Sequence, residues 1–217
     1  METPIVESVE GPELRKLKPH PLTLLVPPSP GISVRDAIDV PVILADGDVL
    51  DGRARVSEAV RLGIPCPYVN LSPRHHEHPA LVLARAMVAR AEPPDRALCA
   101  LVCARLVDAV RKRPAWLDHY DSGFSARLHK QHHLVEFLEA GGATLRSYQR
   151  AKKILEDQRI VLAVLDGAIT LRMAETLVRE VPGKKRMAFV SMTDEQRGAA
   201  LAHLHTRRHR PQRLEGC

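Results

Sequence analysis

The stretch Val40-Pro-Val-Ile-Leu-Ala-Asp-Gly-Asp-Val-Leu-Asp-Gly-Arg-Ala-Arg-Val-Ser-Glu-Ala-Val-Arg-Leu-Gly63 changes its hydrophobic period part-way along. Val40–Ala45 is β-branched and apolar, and Asp46-Gly47-Asp48 behind it is a hairpin turn signal. Val49–Leu50 resumes a strand that runs into Asp51-Gly52. From Arg53 to Leu62 the apolar residues Val56, Ala59, Val60 and Leu62 follow helical spacing, and Gly63 is placed to end that helix in a left-handed cap. Ile64–Leu71 then reads as a further strand. Together these predict strand, hairpin, strand, helix, strand: a compact α+β unit within the first 72 residues.

On the N-terminal side, residues 1–16 are polar and read as a flexible terminus. Leu17–Pro30 carries five prolines around Leu-Thr-Leu-Leu-Val and predicts a short extended segment bounded by turns. Ile32–Ile38 fits one or two helical turns. On the C-terminal side the pattern becomes helical. The spacing predicts helices over His78–Ala91 and Asp95–Arg113, parted by Pro93-Pro94, with a less regular link from Pro114 to Trp116. Further helices are predicted over Leu134–Ala140, Leu145–Leu155, Arg159–Leu165, Leu171–Glu180 and Asp194–His203. Thr144, Thr170 and Thr193 stand where N-caps are needed, and Thr193 with Gln196 fits a capping box. The stretch from residue 205 to 217 is a basic tail.

Aromatic residues make up only 3% of the chain, so the core must be built from Leu, Val, Ile and Ala. The net charge of +6 is unevenly spread. Residues 141–217 hold 15 Lys/Arg against 8 Asp/Glu, a balance of +7, while the first 140 residues balance at −1. Such asymmetry points to a polyanion partner for the C-terminal half, because Lys and Arg set against phosphates release condensed counterions. Cys99 and Cys103 lie on one face of a predicted helix among Leu and Val and read as small core hydrophobes. No Cys-x-x-Cys pair occurs, which excludes a zinc ribbon and a thioredoxin-type site. No secretory signal or membrane-spanning apolar run is evident, so the expected location is cytoplasmic, with no membrane partner.

Two stretches carry candidate chemistry. In Leu134–Leu155 a short helix ends at Gly141-Gly142, Thr144 caps the next, and Leu145, Tyr148, Ala151 and Leu155 form an apolar face set to pack on Val135 and Leu138. The other face carries Arg146, Gln149, Arg150 and Lys153, with Lys152 and Ser147 beside it. An apolar back and a front of long donors is the layout of a recognition helix in a helix-turn-helix, so double-stranded DNA is the expected partner. A solvated basic face on an ordinary helical hairpin is the alternative. The second stretch is Asp51-Gly52-Arg53-Ala54-Arg55, at a strand-to-helix junction. Glycine admits close backbone approach, the helix start offers N–H groups, and two arginines add positive charge, which together make an anion pocket suited to a nucleotide phosphate. A hairpin turn with solvated arginines is the alternative there.

The histidines invite a metal reading that the spacing does not support. His75 and His78 have ligand spacing, but Pro79 interrupts the helix and no Cys or carboxylate completes a site, so a solvated polar loop is expected. His129, His132 and His133 read as a surface cluster. No metal site is evident. Neither Gly-x-Ser-x-Gly nor Gly-x-x-x-x-Gly-Lys occurs, and no enzyme motif stands out.

The order of these motifs resembles the ParB-like proteins. Leu17-Lys-Pro-His-Pro21 resembles the family's opening Pro-containing box, and Val40–Leu44 followed by Val49–Gly63 resembles its strand, turn and nucleotide box. The family writes that box Gly-Glu-Arg-Arg-x-Arg-Ala. Gly52 and Arg55 match it, while Arg53, Ala54 and Ser57 replace its Glu, first Arg and last Arg. Leu145–Leu155 resembles the recognition helix, and Asp166–Ala174 resembles the Gly-x-Ile-Ser segment that follows it. The resemblance spans residues 17–180. It implies a ParB/sulfiredoxin-like N-terminal domain over residues 17–92, a helical helix-turn-helix domain over 93–204, and action in plasmid or chromosome partition or in transcriptional regulation, with nucleoid or plasmid association. It also implies CTP or ATP bound at Asp51, Gly52, Arg53 and Arg55. The family's Asn/Arg motif on the next helix corresponds to Leu83–Arg90, where the Asn is not evident. Sulfiredoxin chemistry needs a cysteine in this turn, and Arg53-Ala54 supplies none. The competing expectation is an enzyme of the same fold, a nuclease or a nucleotide-dependent kinase, and any nucleotide hydrolysis by a partition-type protein would be slow. Palindromic DNA half-sites would call for a homodimer.

Overall fold

The computed structural model describes residues 7–9, 11–26, 39–71, 77–90, 95–112, 117, 120 and 123–208. Two compact units divide the chain, Met1–Tyr148 and Gln149–Cys217. The segments expected at Ile32–Ile38, Pro93-Pro94, Pro114–Trp116 and the end of the basic tail lie outside the described residues, as does the Arg74–His76 run.

The first unit is α+β, as its pattern predicts. Its strands β1 (Glu7–Val9), β2 (Val42–Ala45), β3 (Asp48–Asp51) and β4 (Cys66–Leu71) form a sheet in the order β1-β4-β2-β3. β2 runs antiparallel to β3 and parallel to β4, and β1 closes the other edge antiparallel to β4. The β2–β3 turn is made by Asp46 at φ 54° and Gly47 at φ 80°, with Ala45 facing Asp48, so both central residues are left-handed as a two-residue hairpin requires. The helix α2 (Arg53–Leu62), which follows α1 (Gly11–Leu14), crosses from β3 to β4 and ends at Gly63 with φ 68°. One buried cluster joins Leu14, Val42, Leu44, Val49, Ala59 and Cys66. Leu50, next to Val49 and so on the opposite face of the strand, is also fully buried. Both faces of the sheet are therefore covered, the second by a 3₁₀ helix (Pro21–Leu25) and by α3 (Pro79–Val88).

Two expectations for the N-terminal part need correction. Residues 7–9 and 11–14 are not a frayed terminus: Glu7–Val9 pairs with β4, and Leu14 is buried in the core. The segment after Leu17 is not simply extended, because Pro21 starts a 3₁₀ turn capped by His20, whose Nδ1 accepts from the Leu22 N–H at 3.2 Å. Pro19 bridges to Val49 of β3, through Val49 N–H to the Lys18 carbonyl and His20 N–H to the Val49 carbonyl.

The rest of the unit is helical: α4 (Arg96–Arg111), α5 (Phe124–Arg127) and α6 (Gln131–Ala140). Asp95 caps α4 by accepting from the Leu98 N–H at 2.7 Å. Residues Cys99–Ala104, Leu106, Val107 and Val110 are all buried, so α4 is apolar nearly all round and forms the unit's central post. It packs on α3 and on the 3₁₀ helix. The sequence boundary drawn at residue 92 therefore falls inside this unit.

Helix α7 (Leu145–Ile154) carries the chain from the first unit into the second. The second unit holds α8 (Gln158–Leu165), α9 (Leu171–Glu180), α10 (Gly183–Val190) and α11 (Asp194–Arg208). The helix α10 was not expected from the sequence, whose charged Lys184-Lys185-Arg186 start hides its periodicity. Arg186 ties this unit together. Its guanidinium meets Asp157 Oδ2 at 2.8 Å and donates to the carbonyls of Val178 and Val181, both at 2.9 Å. Arg197 does the same locally, bonding to the Val190 carbonyl at 3.0 Å and pairing with Asp194. Thr193 and Gln196 form the expected capping box, with bonds of 3.0 and 3.3 Å.

Candidate nucleic-acid interface and anion site

The helix α6, a turn at Gly141–Thr144 and the helix α7 follow one another as the sequence predicts. Gly142 adopts φ 70°, the left-handed conformation the turn needs. Gly141 has an ordinary negative φ and is glycine for another reason, since a Cβ there would overlap the Cys103 sulfur. Cys99 and Cys103 thus pack under the turn as small buried groups, and burial pushes the Cys103 thiol up to about 12.

Thr144 and Ser147 cap α7 reciprocally. Ser147 N–H donates to Thr144 Oγ1 at 3.1 Å and Thr144 N–H donates to Ser147 Oγ at 2.9 Å. Serine takes the place of the usual Glu or Gln, which leaves the first turn of α7 free of negative charge. Tyr148, Ala151 and Ile154 form the buried face of the helix. Ile154 takes the place expected for Leu155, and Leu145 and Leu155 are only half-buried, because the helix turns 100° per residue and its buried stripe falls on the 148-151-154 line. On α6 the buried residues are Leu134, Phe137 and Leu138, with Val135 half-buried.

Arg146, Gln149, Lys152 and Lys153 are exposed along the opposite side. Arg150 is not a free member of that row. Its Nε donates to Glu175 Oε2 at 3.1 Å, and Lys153 Nζ meets Glu175 Oε1 at 2.7 Å. Arg150 and Glu175 keep only 22% and 16% of their side-chain surface, whereas Lys153 keeps 59%. The hydrogen bond from Lys153 and the paired charges hold the Glu175 carboxyl below the usual carboxylate range. Glu175 was not singled out in the sequence, because nothing local marks an acid on α9 as the partner of residues 22 and 25 positions earlier.

The residues of the Asp51–Arg55 stretch do gather in one place. Gly52 starts α2 at φ 100°, and a Cβ there would lie 2.9 Å from the Arg55 guanidinium and from Val42 Cγ2. Arg55 Nη2 meets Asp51 Oδ2 at 2.8 Å, both largely buried, while its buried Nε has no hydrogen-bond partner among the described residues. Arg53 Nη2 donates to the Val26 carbonyl at 2.7 Å and so anchors the end of the 3₁₀ segment. Arg90, just past α3, belongs to the same group. Burial and the charges of Arg53 and Arg55 hold its pKa below the usual arginine value, against the opposing pull of Asp51 and Cys99. Arg53, Arg55 and Asp51 all act electrostatically on Arg90, so the cluster carries more positive than negative charge beside an N-terminus with no capping side chain, a setting that would favour an anion. Arg90 closes the Leu83–Arg90 stretch and was not singled out in the sequence, because only its packing beside Arg53 and Arg55 marks it.

His78 is buried rather than solvated. It caps α3 through Nδ1, which accepts from the Ala80 N–H at 3.1 Å, and its ring stacks on Phe124 at 4.3 Å. His129 and His132 are exposed and His133 half-buried, with the last two rings 3.9 Å apart. Among the described residues no group of three or more His, Cys, Asp or Glu is placed to hold a metal ion, and no helix is long and apolar enough to cross a membrane.

No family model matches the sequence, and no curated protein matches it. Among solved structures, the chain is similar to one described as the C2221 form of a Pnob8-like ParB-N domain, with a TM-score of 0.51 at 15% sequence identity. That match covers 92% of this chain and 89% of the other. The fold is ParB-like. The ParB-like correspondence extends well beyond the sheet, since residues 7–71 alone would not reach that coverage.

Proposed function

We propose that this ParB-like protein binds double-stranded DNA through α7 and is modulated by a nucleotide at the Asp51–Arg55 turn. The observation that carries the DNA reading is the exposed row of Arg146, Gln149, Lys152 and Lys153 on a capped helix behind a tight glycine turn. Its back is buried on the Tyr148-Ala151-Ile154 line, so the long donors can enter a major groove without unfolding anything. Helices with such a face read base edges with Arg or Gln and hold phosphates with Lys and Arg. The basic excess of residues 141–217 supports the same reading.

The anion site would hold a nucleotide, CTP or ATP, by its phosphates. Arg53, Arg55 and Arg90 would supply charge, Gly52 the close backbone approach, and the start of α2 its N–H groups. The residues present fit a phosphate group: a buried Arg55 Nε awaits an acceptor and the cluster carries more positive than negative charge. On this reading the nucleotide shifts DNA affinity, in a partition or regulatory role, and the protein acts as a homodimer on paired half-sites.

Selection of duplex DNA from a randomised library with the purified full chain, run without nucleotide and with CTP or ATP, tests both parts. Enrichment of one motif, altered by one nucleotide, is the expected result. Recovery of no duplex above background would overturn the DNA reading. Nucleotide turnover without any duplex binding would favour an enzyme of this fold instead.

A further inference from the structure

Resting on the DNA reading, we propose that Glu175, which lies outside α7, positions Arg150 to read a guanine and so sets part of the sequence preference. An arginine can present two forks, one using Nε and one using the two terminal nitrogens Nη1 and Nη2. In this protein Arg150 Nε donates to Glu175 Oε2 at 3.1 Å, which leaves the Nη1/Nη2 fork as the one left to donate to a second planar partner. Among the described residues no hydrogen bond uses either Nη. A guanine offers O6 and N7 side by side in the major groove, and the terminal fork matches that pair. Lys153 meets the other carboxylate oxygen at 2.7 Å, so Glu175 has a partner on each side and is held beside Arg150. Arg150 keeps 22% of its side-chain surface, enough to reach outward from a fixed base. An arginine pre-ordered in this way loses less freedom on binding than one that waves in solvent.

A different role for Glu175 would be a screen that withholds two cations from phosphates, and the two roles predict opposite signs. A positioning carboxylate strengthens specific binding, whereas a screen weakens all binding. The test measures affinity for the selected site and for unrelated duplex with wild type, Glu175→Gln, Arg150→Lys and the double variant. The expected result is about a tenfold or greater loss on the selected site in each single variant, with unrelated duplex bound as well as before or better. In a repeat selection both variants should relax the preference at the same G·C pair. Adding Glu175→Gln to Arg150→Lys should cost nothing more on the selected site, because the carboxylate acts through the guanidinium.

Equal gains on all sequences in Glu175→Gln would overturn the proposal in favour of the screen. A double variant tenfold weaker than Arg150→Lys alone would also overturn it. Should Glu175→Gln fail to fold, Arg150→Lys decides by itself: an unchanged preference at every position rules the proposal out. A wild-type chain that binds no duplex removes the DNA reading itself, whereas binding with an unaltered Arg150→Lys profile removes only this inference.

Discussion

Cys103 lies directly beneath Gly141, close enough that its sulfur donates to the Gly141 carbonyl at 3.7 Å and leaves no room for a Cβ above it. The α6–α7 turn is therefore fixed from below by α4, and its two glycines serve different ends. Gly142 supplies a backbone conformation at φ 70°, and Gly141 supplies space. Gly141→Ala should destabilise the protein by about 1–3 kcal/mol, the range for overpacking a filled core. Cys103→Ala should lower the cost of that substitution, because the overlapping sulfur is gone. Urea melts of the two single variants and the double variant give the coupling, expected at about 1 kcal/mol or more. Strict additivity would show that the turn yields without pressing on Cys103.

For the exposed row of α7, Arg146→Ala and Lys152→Ala should weaken DNA binding on all sequences and lower the salt slope by about 1 each if each side chain neutralises one phosphate. Gln149→Ala should instead act on preference, costing about 1–3 kcal/mol at one base pair. These three are exposed, so their melting temperatures should stay near that of the parent. Arg150→Ala differs, because it also leaves the largely buried Glu175 with one partner. It should lower stability as well as affinity, and denaturant melts beside binding titrations would separate the two effects.

The order of strands and helices was readable because each element announces itself locally. The hairpin shows in Asp46-Gly47, the end of α2 in Gly63, and the caps of α7, α9 and α11 in Thr144, Thr170 and Thr193. What escaped the sequence was long-range. Glu7–Val9 reads as polar terminus because its strand character comes from pairing with Cys66–Tyr68, not from its own residues. His78 reads as solvated in a polar run, yet Phe124 from a distant segment stacks on it. The same holds for the site. The face of α7 was legible from spacing, but Glu175, which removes Arg150 from the free row, has no local signature. Arg53 read as a nucleotide ligand alone, whereas its contact with the Val26 carbonyl also gives it a structural duty.

The anion site makes its own prediction. Arg55→Ala and Arg90→Ala should each cut CTP or ATP binding by about tenfold or more, since a charged hydrogen bond is worth about 1.5–3 kcal/mol. Gly52→Ala should do so too and should also destabilise the fold, because φ 100° disfavours a side chain and a Cβ would press on Arg55 and Val42 at 2.9 Å. Titration calorimetry with each nucleotide, beside a thermal melt of each variant, distinguishes lost contacts from lost fold. Parent protein that takes up neither nucleotide would assign Arg53, Arg55 and Arg90 to structural ties alone.

His20 gives a pH dependence whose sign follows from its cap. Its Nδ1 accepts from the Leu22 N–H, so the bond exists only while that nitrogen is unprotonated. Burial lowers its pKa below the ordinary 6.5, and the nearby Asp46 and Asp48 oppose the shift without cancelling it. The unfolded chain therefore binds the proton more tightly than the folded one. The stability due to neutral His20 is complete above about pH 6.5, declines as pH falls through that value, and levels off below the lowered folded pKa. His20→Asn keeps a capping acceptor that does not titrate, so its stability should change less between pH 7.5 and pH 5 than the parent's. Denaturant melts across that range, taken as the difference between parent and variant, isolate this residue from the other histidines. Parallel profiles would mean that protonation of His20 is not linked to folding.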